Sequence, residues 1–83
     1  SSEGIFDYFK LNDEYAIYEV AVPESWVGKT LLEKNVRQKY GLNVLAIKNG
    51  EAFDTLPGPD HRFVEDETIL VLGNKESLKW LKR

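Results

Sequence analysis

A chain of 83 residues supports one domain with one hydrophobic core, near the size at which packing alone struggles to offset chain entropy. The absence of cysteine excludes disulfides and thiolate metal sites. A net charge of −3, with 11 Lys and Arg dispersed among 14 Asp and Glu, leaves no basic stripe for a nucleic-acid polymer.

No apolar run approaches the roughly 20 residues of a membrane-crossing helix. The opening Ser1-Ser2-Glu3 looks like a vector scar or a cut inside a longer polypeptide, so residues 1–83 read as one excised domain.

From Ile5 to Leu11 apolar and polar residues partly alternate, and Asn12-Asp13-Glu14 supplies turn chemistry before a second alternating run, Tyr15 to Val22. Ala16, Tyr18, Val20 and Val22 share one face of that strand and Ile17, Glu19 and Ala21 the other, and Pro23 ends it. Thr30 and Glu33 then have the spacing of a capping box. Leu31, Leu32, Val36 and Tyr40 follow helical periodicity and Gly41 suits the C-terminal cap, which predicts one helix from Leu31 to Tyr40.

Asn43 to Lys48 predicts a largely buried strand. Asn49-Gly50 is the dipeptide of a two-residue type I′ turn, returning into a short strand over Glu51–Phe53. The prolines and glycine of Leu56-Pro57-Gly58-Pro59-Asp60-His61 predict a surface loop. Ile69-Leu70-Val71-Leu72 reads as a central strand covered on both faces. Asn74 caps a last helix with Leu78 and Leu81 inward, Glu76 near its positive end and Lys79, Lys82 and Arg83 near its negative end. The order is β-β-α-β-β-β-α, an α+β domain with an antiparallel or mixed sheet and two helices.

Enzymatic chemistry finds little support in these residues. His61 is the single histidine; beside Asp60 it could form an acid/base or metal pair, but without a second nitrogen ligand it reads as a solvated loop residue. The glycines are scattered among turns, and none forms a phosphate-cradling cluster.

Val36-Arg37-Gln38-Lys39-Tyr40-Gly41-Leu42-Asn43-Val44 is more informative. A guanidinium in the last helical turn can grip phosphate and an asparagine at the next strand start can pair with a purine edge, which suits a nucleotide-like ligand. The plainer alternative stays open: Arg37 complements the helix dipole and Asn43 begins a strand.

Taken together, Tyr15 to Pro23, Gly28-Lys29-Thr30-Leu31-Leu32, Arg37 to Lys48 and Ile69 to Gly73 resemble the TrkA-C, or RCK-C, domain. Within that family, Lys39 to Ile47 is most similar to the C-terminal domain of KtrA-type potassium-uptake regulatory subunits. The resemblance implies a homodimer whose cleft binds cyclic di-AMP, a two-fold symmetric regulatory ligand. It implies Arg37 on phosphate, Asn43 on adenine, Leu31, Leu32, Val36 and Val44 as apolar walls, and Pro59 near the base. It also implies a Rossmann-like RCK domain preceding this one in the same polypeptide, a membrane potassium-channel subunit as partner, and a cytoplasmic place beneath the membrane. Where some KtrA-type regulators have a histidine just after the hairpin turn, this chain has Ala52.

Two other readings remain beside that one. The same fold could serve another cation or cation/proton transporter as a dimerisation element or as a sensor of a different ligand. A small enzyme would have to be built on Asp60 and His61.

Overall fold

The fold was read from a computed structural model in which residues 5–82 are described; residues 1–4, Arg83 and the side chain of Lys82 lie outside the described residues. Five strands form one antiparallel sheet: β1 (Ile5–Lys10), β2 (Tyr15–Ala21), β3 (Asn43–Asn49), β4 (Ala52–Asp54) and β5 (Thr68–Asn74), in the spatial order β1-β2-β5-β3-β4. The last strand in the chain is therefore the central one, as expected.

Alternation places β2 as expected. Ala16, Tyr18 and Val20 are buried against Val71 and Ile69 of β5, with the register Tyr18↔Val71 and Val20↔Ile69. The Asn12 turn closes the β1–β2 hairpin because its Oδ1 accepts from the amides of Glu14 and Tyr15, both at 2.8 Å.

Contrary to the expectation of cover on both faces, only one face of β5 is fully covered. Ile69 and Val71 are sealed, whereas Leu70 and Leu72 are half-buried on the opposite face, because Trp26, Val36, Phe63, Leu78 and Leu81 pack in one cluster with the first pair. On the open face Lys48 Nζ lies 3.5 Å from Glu19 Oε2 and 5.7 Å from the ring centroid of Phe53.

Three local expectations change. The β3–β4 turn sits one residue later, with Asn49 paired to Ala52 and Gly50-Glu51 between them; Gly50 takes φ +61° and Glu51 stays out of positive φ, the φ pattern of a type II′ turn, so β4 begins at Ala52. The predicted continuous helix is two: α1 (Leu31–Lys34) and α2 (Val36–Tyr40), divided by Asn35 in the left-handed region. The last helix is α3 (Lys75–Leu78), capped by Asn74 Oδ1 accepting from Ser77 N at 2.8 Å, and it tightens to a 3-10 turn over Lys79–Lys82, with Leu78 and Leu81 buried as expected.

After Pro23 the chain makes a 3-10 turn, Glu24–Trp26, which delivers Trp26 into the core at 1% exposure. Its ring stacks on Tyr40 of α2 at 5.8 Å and meets Phe63 at 5.3 Å, so one indole ties α2 to the far end of the proline loop.

Gly73 at the end of β5 leaves no room for a side chain, because an added Cβ would run into Leu42 Cδ2 and Leu42 is itself fully buried. Gly73→Ala is expected to lower unfolding free energy in urea by about 1–3 kcal/mol, the usual range for an overpacked core. An unchanged denaturation midpoint would show that Leu42 can move aside.

Candidate functional site

α1 is only four residues long, yet its first-turn amides all have acceptors. Leu31 N donates to His61 O at 2.9 Å, Leu32 N to Pro59 O at 3.0 Å, Glu33 N to Thr30 Oγ1 at 3.1 Å, and Lys34 N to Thr30 O at 3.0 Å. Thr30 N in turn donates to Glu33 Oε1 at 2.8 Å, which completes the capping box that the sequence predicts. Those hydrogen bonds, from the Thr30 backbone first and its side chain second, hold the Glu33 carboxyl below the ordinary glutamate range, assisted by Arg62 and Lys29.

Proline-loop carbonyls thus replace the missing preceding turn of helix. Phe63 N donates to Lys29 O and Gly28 N to Phe63 O, each at 2.9 Å, and Arg62 donates from its guanidinium to Gly28 O at 2.6 Å. The loop lies fixed along the start of α1.

A groove of about 340 Å³ opens between α1, α2, the first residues of β3 and this loop. Leu31, Leu32 and Val36 line it from the helices, Asn43 and Val44 from β3, and Pro59 from the loop, with Arg37 carrying the sole full charge of the lining. All seven residues named from the sequence therefore meet in one place. Asn35 and Pro57 also line it; Pro57 belongs to the predicted loop, and Asn35 was hidden inside a predicted helix.

The apolar lining divides into two kinds. Val36 is part of the core at 3% exposure, and Leu31 and Val44 pack against it. Leu32 is 70% exposed and packs on no core, so core formation does not account for it. Arg37 is exposed and has no ion-pair partner among the described residues. A bulge at Leu45, between the pairs Val44↔Val71 and Ala46↔Leu70, twists β3 beside the groove. Ala52 sits at the other end of β3, paired with Asn49, and does not line the groove of its own chain.

His61 is not the solvated residue its loop position suggests. Its Nε2 faces both oxygens of the buried Glu67 carboxylate, at 3.3 Å and 3.1 Å, and Glu67 Oε1 also accepts from Val64 N at 2.9 Å. Asp60 is exposed, and the partner of His61 is Glu67, so the two residues form no acid/base pair. The Glu67 pair buttresses the proline loop from behind. Among the described residues no group of three His, Cys, Asp or Glu could hold a metal ion, and no helix is long and apolar enough to cross a membrane.

Comparison with known proteins places the chain in a family. The family model of the TrkA-C domain matches residues 16–83. The chain belongs to the TrkA-C domain family. Ktr system potassium uptake protein A of Bacillus subtilis (strain 168) is 33% identical over 79 residues, covering 95% of this chain and 36% of that protein. The chain thus spans about a third of the length of the two Bacillus subtilis Ktr proteins it matches.

Among solved structures, the RCK C domain of the potassium transport protein KtrA, in complex with cyclic di-AMP, superposes with a TM-score of 0.76 at 28% identity, covering 82% of this chain and 80% of that one. The RCK_C domain dimer of S. agalactiae BusR, also in complex with cyclic di-AMP, gives 0.69 at 28% identity, covering 76% and 80%.

Two measurements follow from the loop and its cap. Glu67→Ala, which leaves His61 and the Val64 amide without an acceptor, is expected to cost about 1–3 kcal/mol in urea unfolding, while Glu65→Ala on the exposed turn leaves the midpoint in place. Because the Glu33 pKa is lowered by folding, its contribution is present above the ordinary glutamate value and lost as pH falls through the depressed one. A carbon-detected NMR titration should find the Glu33 midpoint below the ordinary value, and Thr30→Ala should move it back upward.

Proposed function

We propose that this TrkA-C domain is a regulatory, non-catalytic module of a potassium-uptake system, and that two copies bind one cyclic di-AMP between their grooves. The observation that carries the proposal is the convergence of one exposed guanidinium, one strand-end asparagine and an exposed leucine in a single apolar groove. The relatives supply the context: a Ktr potassium-uptake protein by sequence, and two domains by structure whose complexes contain cyclic di-AMP.

Symmetry gives the chemistry its economy. Cyclic di-AMP has two adenines and two phosphates related by a two-fold axis, so each chain needs to recognise half of it. In this reading Arg37 takes a phosphate by charge-assisted hydrogen bonds, Asn43 an adenine edge, and Leu32, Val44 and Pro59 enclose the base. Leu31 and Val36 hold those walls from the core side. The exposed Leu32 becomes buried when the second chain and the ligand arrive.

Regulation then follows from differential affinity: a ligand that fits one arrangement of the two chains better than another shifts the pair toward it. The arrangement is transmitted to a preceding RCK domain of the same polypeptide and, through it, to a channel subunit in the membrane, with the module itself on the cytoplasmic side.

Calorimetric titration of the domain with cyclic di-AMP tests this directly. The expected result is about one ligand per two chains, no comparable binding of AMP, and an affinity lowered about a hundredfold or more by Arg37→Ala, because two charge-assisted contacts of about 1.5–3 kcal/mol each are removed per ligand. A folded dimer that binds no cyclic di-AMP, or an Arg37→Ala variant that binds as well as the parent, would overturn the proposal.

A further inference from the structure

Within the segment Leu31–Tyr40, Asn35 interrupts the helix with a left-handed backbone, φ 49° and ψ 50°. It closes α1 and opens α2 at the same residue. Its amide donates to Leu31 O at 3.2 Å and Leu32 O at 3.1 Å, and its carbonyl accepts from Lys39 N at 2.9 Å. A Cβ disfavours this region of backbone space, and asparagine is one of the few residues that adopt it with tolerance.

The break changes what the neighbouring side chains can do. In an unbroken helix Leu32 and Val36, four residues apart, would stack on one face and share one environment. Here Val36 is buried in the core while Leu32 stands exposed, and residues from both helical segments line the same groove. The Asn35 side chain is engaged locally, its Nδ2 donating to Gln38 Oε1 at 3.1 Å.

We propose that Asn35 is a positioning residue: its left-handed backbone, and not a contact from its side chain, holds α1 and α2 at the angle that brings Leu32 and Arg37 into one ligand groove. The inference rests on the reading of that groove as a ligand site. A residue that resists the left-handed region favours an unbroken helix, so the fraction of chains with a competent groove falls, and because one ligand needs two such chains, apparent affinity falls by the square of that fraction.

Two substitutions separate backbone from side chain. Asn35→Gly removes the amide group and keeps the left-handed conformation accessible; Asn35→Ala removes the same group and penalises that conformation. In calorimetric titrations with cyclic di-AMP, both variants lose whatever the Asn35 amide contributes to the groove lining, so the two are compared with each other: Asn35→Ala is expected to bind about tenfold more weakly than Asn35→Gly. Residual dipolar couplings of backbone amides, measured without ligand, should report the parent α1–α2 angle in Asn35→Gly and a changed one in Asn35→Ala.

Equal losses in both variants would assign the effect to the side chain and overturn the inference, as would an Asn35→Ala protein with the parent angle and affinity. Should Asn35→Ala fail to fold, the couplings of the glycine variant decide, and an α1–α2 angle unlike the parent's refutes the backbone role. If the parent itself binds no cyclic di-AMP, the proposed ligand fails while the couplings still judge whether Asn35 sets the angle.

Discussion

A short run of main-chain hydrogen bonds joins Gly28–Leu32 to Pro59–Phe63, and the groove exists because of it. The first amides of any helix lack partners within the helix, and a helix of four residues has no length over which to recover that loss. In this domain the carbonyls of His61 and Pro59 accept from Leu31 and Leu32, so the proline loop is held against α1 by the helix's own unmet demand. Proline is well suited to such a position, since it offers a carbonyl while contributing no amide that would need a partner of its own. Trp26 and the Glu67–His61 pair then fix the loop from beneath and behind.

Much of this was legible where the deciding interactions are local. The Thr30–Glu33 capping box, the Asn74 cap, the Asn12 turn and the alternation of β2 all act within a few residues, and each stands where the pattern puts it. The composition of the groove was legible for a different reason. Arg37, Asn43 and the apolar residues around them carry the resemblance to a family, whereas spacing alone favours a helix-dipole role for Arg37.

What was hidden depends on distant partners. Nothing near His61 announces Glu67, because the pair forms only when the loop turns back over Val64. Trp26 follows a proline that ends a strand, and its burial is decided by Tyr40 and Phe63, far along the chain. The helix break is the instructive case. Leu31, Leu32, Val36 and Tyr40 satisfy helical periodicity whether or not the helix is continuous, and periodicity is blind to one left-handed residue that rotates the second half relative to the first.

The same anatomy constrains how a ligand could act on the domain. Each wall of the groove is secured within its own chain: α1 by the loop carbonyls, the loop by Glu67, α2 by Trp26, and β3 by the central strand. Satisfied main-chain bonds and a packed core resist small, continuous deformation. A ligand spanning two chains therefore meets less resistance in changing how they sit against each other than in reshaping either one. On the reading proposed above, the switching element is the relation between two rigid half-sites, and affinity for the ligand measures how well that relation matches the spacing of its phosphates.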